Sequence, residues 1–176
     1  MHIRYAIVAS PLGRLLVGAT ERGVCSVCLG DDENELENSL NLEYPAAHVN
    51  RDDAAFAEHV DAILRYLRGE NSHADLPLDV QATAFQWRVW RELQAIPYGE
   101  TRTYGAIARA IGSPTAVRAV ANVCARNRAA LVIPCHRAVR KGGGLGGYRW
   151  GIERKKALLE GEAVAKNRES GIGNRE

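Results

Sequence analysis

The pentapeptide Ile133-Pro134-Cys135-His136-Arg137 sets a potential nucleophile beside a potential base. A cysteine attacks as its thiolate, so it needs a group that lowers its pKa or takes its proton. A neighbouring histidine can do this, and Pro134 favours an extended, rigid approach to the sulfur. The dipeptide alone leaves two interpretations open, because a cysteine is often a small buried apolar residue and adjacent side chains need not face each other.

The segments on either side of the pentapeptide suit a thiol near a cleft. Apolar residues 129–133 predict a short buried strand or core segment that ends at the cysteine. Glycines dominate residues 142–147, which predicts a flexible loop that can approach a ligand closely. This loop lacks the strand, G-x-G-x-x-G and helix order of a dinucleotide site, so that interpretation is rejected.

The pattern after the loop predicts a last helix over residues 152–162. Leu158 and Leu159 are expected to pack, whereas Lys155 and Lys156 are expected to lie in solvent. Residues 163–176 are polar without periodicity and predict a flexible tail.

Two short helices joined by a tight turn are predicted before the pentapeptide. The first covers residues 104–111, with apolar side chains at i, i+3, i+4 and i+7, and ends at Gly112. Ser113 is expected to cap the second helix, with Pro114 as its first residue, and this helix extends to about Arg126. The pattern indicates a helix-turn-helix.

The second of these helices has two contrasting faces. Its expected buried stripe contains Val117, Val120, Ala121 and Cys124. Its outward face is small and basic, and small residues allow a helix to enter a groove about 6 Å wide. An ordinary solvated helical hairpin explains the same spacing equally well.

The first half of the chain predicts a scaffold without a chemical constellation. Residues 2–29 alternate and turn like three antiparallel strands, and Asp32 with Glu35 predicts the start of a short helix. Residues 44–51 are expected to form a loop. A longer helix is expected from Asp52 or Asp53 to a stop at Gly69.

Composition sets wide limits. The 176 residues are 46% hydrophobic and 25% charged with a net charge of +2, which suits one or two small globular domains and neither requires nor excludes a nucleic-acid partner. No apolar run is long enough for a membrane span, and the N-terminus lacks a signal-peptide pattern. We therefore expect a cytoplasmic protein with reduced thiols and no membrane partner.

No metal or cofactor is expected. The four cysteines include Cys25 and Cys28, formally C-x-x-C, but they lie in a predicted strand. Strand residues three apart point to opposite faces, and no second ligand pair completes a zinc site.

These patterns together predict an α+β fold in two domains. Residues 1–78 are expected to form a small N-terminal antiparallel-sheet scaffold domain, and residues 79–162 a mostly helical C-terminal domain with the helix-turn-helix. Thr83 and Gln86 predict a capping box at the start of the second domain's first helix. Residues 163–176 are expected to remain a flexible tail.

Pro134-Cys135-His136-Arg137, preceded by Ile133 and followed by a Gly-rich turn, resembles the acceptor site of the O6-alkylguanine-DNA alkyltransferases. Residues 83–162 are similar, nearly without gaps, to the catalytic domain of this family, of the bacterial Ada C-terminal and Ogt type. The first half also resembles the family's N-terminal scaffold at residues 21–24 and 29–32.

The resemblance implies a stoichiometric DNA-repair reaction. Cys135 takes the alkyl group from O6 of guanine, and activity on O4-alkylthymine is part of the same expectation. His136 draws off the thiol proton through a water, and Glu162 orients His136. Asn127 ties the helix-turn-helix to the acceptor segment, and Tyr104 protonates or hydrogen-bonds the departing guanine.

The resemblance also implies contacts with double-stranded DNA and with the flipped base. Arg118 fills the gap that the flipped nucleotide leaves. The other residues matched to DNA contacts are Tyr104, Gly105, Ser113, Ala119 and Lys141. The alkyl and base pocket is matched to Pro134, Ala138, Tyr148 and Arg149; at position 138 the family usually has a larger aliphatic residue, so a slightly roomier pocket is expected.

Three other functions compete with a single-turnover, monomeric alkyltransferase. An alkyltransferase-like protein binds the lesion without transfer, but those relatives replace the acceptor cysteine, which is present here as Cys135. A transcription regulator would read the major groove, and Ala119 is a poor base reader. A Cys-His hydrolase would need an oxyanion motif, and none is recognisable.

Overall fold

The computed structural model describes residues 1–172. Contacts divide the chain into two compact units: Met1–Gln81 with Arg128–Val132, and Ala82–Asn127 with the chain from Ile133 onward. The sequence predicted a single linear boundary and did not predict that Arg128–Val132 belongs to the first unit. That assignment depends on backbone pairing with a distant strand, and nothing in the sequence of these five residues indicates that pairing.

The first unit contains a four-stranded sheet in the order β3-β2-β1-β4. Its strands are β1 (His2–Ser10), β2 (Gly13–Thr20), β3 (Gly23–Gly30) and β4 (His48–Arg51). The antiparallel pairing of β1 with β2 and of β2 with β3 confirms the predicted meander. The prediction of a loop holds for residues 44–47 but was wrong for His48–Arg51, because β4 pairs in parallel with β1. A four-residue strand with no buried side chain gives no periodic signal.

Two helices complete this unit, α1 (Glu33–Glu43) and α2 (Ala57–Leu67). Asp32 caps α1 as predicted, since its side chain accepts from the Glu35 N–H at 3.0 Å. The expected cap of α2 was wrong: Asp52 caps a preceding turn instead, and Phe56 adopts a left-handed conformation with φ 57° directly before the helix.

Residues 128–132 belong to this unit because their backbone pairs with β3. The Val27 N–H donates to the Arg128 carbonyl at 2.8 Å, and the Ala130 N–H donates to the Val27 carbonyl at 3.1 Å. The segment is buried as predicted, but it forms an isolated bridge rather than a strand. Leu131 turns the chain with φ +72° immediately afterwards.

The second unit is mostly helical. Its elements are α3 (Ala84–Gln94), β5 (Arg102–Thr103), α4 (Tyr104–Ala110), α5 (Val117–Ala125), a 3₁₀ turn (Cys135–Arg137), β6 (Ala138–Val139) and α6 (Ile152–Ile172). Thr83 and Gln86 form the predicted capping box of α3. The short strands β5 and β6 pair in parallel and bring the start of α4 to the end of the 3₁₀ turn.

The helix-turn-helix is formed by α4 and α5, with a longer turn than predicted. The expected cap at Ser113 with Pro114 as first helical residue was wrong, because residues 113–116 form a turn and α5 begins at Val117. The later start also changes the buried face: Val123 is buried, and Val117 is 40% exposed. A turn closed by the Ser113 carbonyl offers the same residue types as a helix start, so the sequence does not separate them.

The prediction that the last helix ends at Glu162 was wrong, since α6 continues to Ile172. Residues 163–172 lack an apolar stripe, yet adding a residue to a helix that has already formed costs much less than nucleating one, and the stretch contains the good helix formers Ala163, Ala165 and Lys166. An ion pair between Lys166 and Glu100 at 2.8 Å fixes the extension. The predicted tail's last residues, 173–176, lie outside the described residues. No helix within residues 1–172 has both the length and the apolar character needed to cross a membrane.

Candidate active site

Cys135 begins the 3₁₀ turn and is 3% exposed. Asn127, two residues beyond the end of α5, donates from Nδ2 to Cys135 Sγ at 3.2 Å and to the Ile133 carbonyl at 2.8 Å. One amide group therefore links the helix-turn-helix to the segment that carries the thiol, as the resemblance implied.

The surroundings of Cys135 act on its pKa in opposite directions. Burial raises the pKa of the thiol, while the hydrogen bond from Asn127 and the charge of Lys155 oppose the rise. Burial has the larger effect, so the resting group is a thiol rather than a thiolate. A nucleophilic role consequently requires a base.

His136 supplies an imidazole next to that thiol. Its Nε2 lies 2.6 Å from Glu162 Oε1, and both side chains are buried. Burial lowers the pKa of His136, which keeps the ring neutral near pH 7. A neutral ring whose Nε2 faces a carboxylate has its proton there and directs Nδ1 elsewhere as an acceptor. This arrangement is that of a general base held in one tautomer.

Glu162 is held by more than His136. Arg137 donates from Nε to Glu162 Oε2 at 3.0 Å and from Nη2 to Oε1 at 3.1 Å, and the Gly99 N–H donates to Oε2 at 3.1 Å. Burial favours a higher pKa of the carboxyl, but the bonds from His136 and Arg137 outweigh it and lower that pKa to about 2. Glu162 is therefore ionised at neutral pH.

Sequence reasoning missed Arg137 as a site residue. Its guanidinium is 2% exposed and also donates to the Ile96 carbonyl at 2.8 Å. The available signal was its place two residues after the cysteine at which the predicted buried run ends, because a charged residue that becomes buried needs a partner.

Tyr104 is the first residue of α4, which Thr103 caps by accepting from the Ala106 N–H at 3.1 Å. Burial raises the pKa of Tyr104 to about 12, so the phenol keeps its proton. The glycine-rich loop packs against it: a Cβ on Gly146 would lie 2.7 Å from the phenol oxygen. Glycine is required at this point both for space and for its φ of +75°.

The prediction that Lys155 is solvated was wrong. The side chain is fully buried, and Nζ donates to the Ala138 carbonyl at 2.6 Å. Lys155 precedes Leu158 and Leu159 by three and four residues and so shares their face of the helix, but only the oxygens from other segments explain how a charged group is accommodated there.

A cavity of about 640 Å³ lies in the second unit beside Cys135. Its walls come from α4, α5 and the glycine-rich loop. The lining residues are Tyr104, Val117, Arg118, Ala121, Cys124, Ala125, Cys135, Arg140, Gly147, Tyr148 and Arg149. The cavity therefore brings together five of the residues that the sequence predicted for the site: Tyr104, Arg118, Cys135, Tyr148 and Arg149.

The remaining predicted site residues are not among those that line this cavity. Pro134 and Ala138 are buried on either side of the 3₁₀ turn. Both backbone groups of Ala138 are engaged, the N–H with the Cys135 carbonyl and the carbonyl with Lys155. Gly105 and Ser113 are half-buried, whereas Ala119 and Lys141 are exposed.

Two family models match the chain. The one described as 6-O-methylguanine DNA methyltransferase, ribonuclease-like domain, matches residues 3–80, and the one described as 6-O-methylguanine DNA methyltransferase, DNA binding domain, matches residues 84–164. Together they cover most of the chain, so it belongs to the 6-O-methylguanine DNA methyltransferase family.

Curated relatives and solved structures agree with this family assignment. The chain is 48% identical over 166 residues to the bifunctional transcriptional activator/DNA repair enzyme Ada of Escherichia coli K12, covering 94% of this chain and 47% of that protein. It is 40% identical over 158 residues to a methylated-DNA–protein-cysteine methyltransferase of Mycobacterium tuberculosis H37Rv, covering 90% and 91%. The crystal structure of M. tuberculosis OGT in complex with DNA aligns with a TM-score of 0.79 at 38% identity over 94% of each chain. The chain thus spans about half the length of the Ada relative and nearly all of the mycobacterial one.

Proposed function

We propose that this chain repairs alkylated DNA directly, by a single irreversible transfer of the alkyl group from O6 of guanine to Cys135. O4-alkylthymine presents a comparable alkylated oxygen and is a second expected substrate. The observation that supports this most is a buried thiol at a cavity, next to a neutral histidine whose Nε2 lies 2.6 Å from an ionised glutamate. The proposed compartment is the cytoplasm.

The reaction follows from the groups around the sulfur. Glu162 holds His136, which draws off the thiol proton through a water. The sulfur attacks the alkyl carbon in line, so that the S–C bond forms as the C–O bond breaks and its electron pair stays on guanine. Tyr104 hydrogen-bonds or protonates the departing base. The thiol loses one proton and the guanine gains one, so no net charge is created. Nothing in this chemistry cleaves the thioether, so each molecule reacts once.

DNA binding is proposed for α4 and α5, which present the helix-turn-helix to the minor groove. Cys135 is 3% exposed, so a base within a duplex must leave the stack to reach it. Arg118 is exposed on the first turn of α5 and lines the cavity, which suits a side chain that takes the place of the flipped nucleotide. The DNA contacts proposed beside it are Tyr104, Gly105, Ser113, Ala119 and Lys141.

The flipped base is proposed to enter the cavity beside Tyr148. Arg149 lines the same wall and donates to the Asn127 carbonyl at 3.0 Å, which connects the base pocket to the thiol's hydrogen-bond donor. Pro134 and Ala138, which are buried on either side of the 3₁₀ turn, are proposed to border the alkyl pocket, and the small Ala138 is expected to make that pocket roomier.

Intact-mass spectrometry after mixing the protein with a duplex containing one O6-methylguanine tests the proposal. A gain of one methyl group, mapped to Cys135, is expected; Cys135→Ala should gain none, and Cys28→Ala, which removes a thiol of β3, should gain it as the wild type does. Tight lesion-selective binding without a mass gain would indicate an alkyltransferase-like lesion-binding protein instead. Neither transfer nor selective binding would contradict both.

A further inference from the structure

The glycine-rich loop begins with a tight turn that fixes the side chain of Arg140. The Arg140 N–H donates to the Gly144 carbonyl at 2.8 Å, which closes the turn. Gly142 and Gly143 form its tip with φ values of +89° and +91°, which glycine adopts without strain. The stem of Arg140 lies along the same turn, since a Cβ on Gly144 would lie 3.7 Å from Arg140 Cδ.

The guanidinium of Arg140 lies at the candidate reaction cavity without an anionic partner. Arg140 lines the cavity together with Cys135, but it is also exposed, and no ion pair joins it to another of the described residues. Arg118 and Arg149 line the same cavity, and none of the described residues that line it is acidic. The cavity therefore combines three guanidinium groups with no carboxylate.

The charge of Arg140 acts on two buried groups beside the cavity. Burial raises the pKa of Tyr104 to about 12, and the charge of Arg140 opposes that rise. Burial lowers the pKa of Lys155, and the charge of Arg140 lowers it further. An exposed guanidinium with these effects lies where the cavity opens to solvent, close to its interior.

A phosphate is the part of a DNA substrate that fits such a guanidinium. An alkylated guanine base carries no charge near pH 7, whereas each nucleotide adds one negative charge through its phosphate. The base and its two flanking phosphates are joined through a single sugar, so a base inside the cavity leaves those phosphates near the opening. A guanidinium can donate two parallel hydrogen bonds to phosphate oxygens.

We propose that Arg140 is a DNA-binding residue that holds one of the two phosphates flanking the flipped nucleotide and thereby retains the extruded base in the cavity. This role rests on the proposed function, because it concerns the same substrate in the same cavity. It differs from the role proposed for Arg118, which fills the gap that the base leaves in the stack. Arg140 takes no part in breaking or forming bonds.

Neutralising single phosphates tests the contact. Single-turnover transfer is measured for the wild type and Arg140→Met with an O6-methylguanine duplex, and with duplexes that carry a methylphosphonate on the 5′ or the 3′ side of the lesion. Arg140→Met should slow transfer from the unmodified duplex about ten- to hundredfold, as loss of charge-assisted hydrogen bonds would. At one of the two positions, the methylphosphonate should slow the wild type comparably and Arg140→Met hardly at all, because the contact is already absent.

Two controls separate this contact from other effects of losing a charge. Arg168→Met removes an exposed guanidinium from the end of α6, away from the cavity lining, and should keep both the wild-type rate and the wild-type sensitivity to methylphosphonate. Alkylation of Cys135 by iodoacetamide needs the thiol but no DNA, so Arg140→Met should change its rate less than about threefold.

The outcomes distinguish this role from the proposed function. No transfer by the wild type from the unmodified duplex would overturn the proposed function and this role with it. Transfer by the wild type would overturn the role of Arg140 alone if Arg140→Met reacted equally fast, or if its effect multiplied with that of the methylphosphonate at both positions. A parallel fall in iodoacetamide reactivity would also overturn it, because Arg140 would then act on the thiol.

Discussion

The two units of this chain bury different kinds of side chain. Among the described residues, the first unit buries one serine, Ser26, and no charged group, and its ion pairs lie at the surface, such as Arg51 with Glu33. The second unit buries five polar or charged side chains, Asn127, His136, Arg137, Lys155 and Glu162.

This difference shows in which unit charged side chains are removed from water. Removing a charge from water costs several kcal/mol unless partners satisfy it, and apolar packing usually gives equal or better stability. The first unit follows that rule, as expected of the scaffold that the sequence predicted. The second unit departs from it only around Cys135, where ionised and neutral groups hold each other in fixed protonation states.

The largest expected effect comes from breaking the buried charge network. Arg137→Met leaves the ionised Glu162 without its bidentate partner, so the free energy of unfolding should fall by about 3–5 kcal/mol, measured by urea denaturation. Arg51→Met removes a cation with several carboxylate contacts at the surface of the first unit, and its effect should be much smaller. Equal losses in the two variants would contradict the comparison.

A second test concerns how tightly the glycine-rich loop packs against Tyr104. Gly146→Ala places a Cβ 2.7 Å from the phenol oxygen and forces alanine to φ +75°, a cost of about 1–3 kcal/mol, so transfer should slow about tenfold or more in a single-turnover assay. Gly144→Ala is the matched control in the same loop, because its Cβ makes only ordinary contacts of 3.6 Å with Arg140. Similar transfer rates for the two variants would show that the loop shifts to accommodate the added Cβ and would contradict tight packing against Tyr104.

The smallest expected effect is a pH dependence that originates in the second unit. Burial lowers the pKa of His136 below its ordinary 6.5, so the unfolded chain binds this proton more readily and the free energy of unfolding falls as pH drops below 6.5. The slope can reach about 1.4 kcal/mol per pH unit. Glu162, whose pKa falls from 4.5 to about 2, adds a further loss as pH drops from 4.5 toward 2.

Urea denaturation at pH 7 and pH 5.5 measures the first of these two losses. His136→Asn removes the titrating group, so its stability should change less between the two pH values than that of the wild type. A slope that persists unchanged in this variant would assign the pH dependence to other groups.

Local patterns predicted much of the fold because they depend on neighbours in sequence. The β1–β3 meander, the Asp32 cap of α1 and the Thr83–Gln86 capping box of α3 were confirmed. Each of these depends on alternation, turn residues or a hydrogen bond that spans three positions. The later start of α5 and the longer α6 were missed because turns and anchored helices share residue types with their alternatives.

The residues of the candidate site likewise divide into those that the local sequence predicted and those that it did not. The motif around Cys135 and His136 is contiguous, so the sequence alone pointed to the proposed nucleophile and its neighbouring imidazole, and the resemblance added Glu162 as the expected acidic partner. Several partners of Arg137 and Lys155 lie 17 to 51 residues away along the chain, namely Ile96, Ala138 and Tyr104. Local periodicity gives information only on residues a few positions apart, so it cannot predict partners at such distances.

The sequence by itself therefore determined most of the elements, the α+β class, the family and the thiol proposed as acceptor. Only the tertiary structure decided which charges are buried, that a four-residue strand joins β1, and that residues 128–132 pair with β3. The physical reason is that a buried charge or an isolated backbone pair is stable only when distant segments supply hydrogen-bond partners, and those segments meet only in the folded chain.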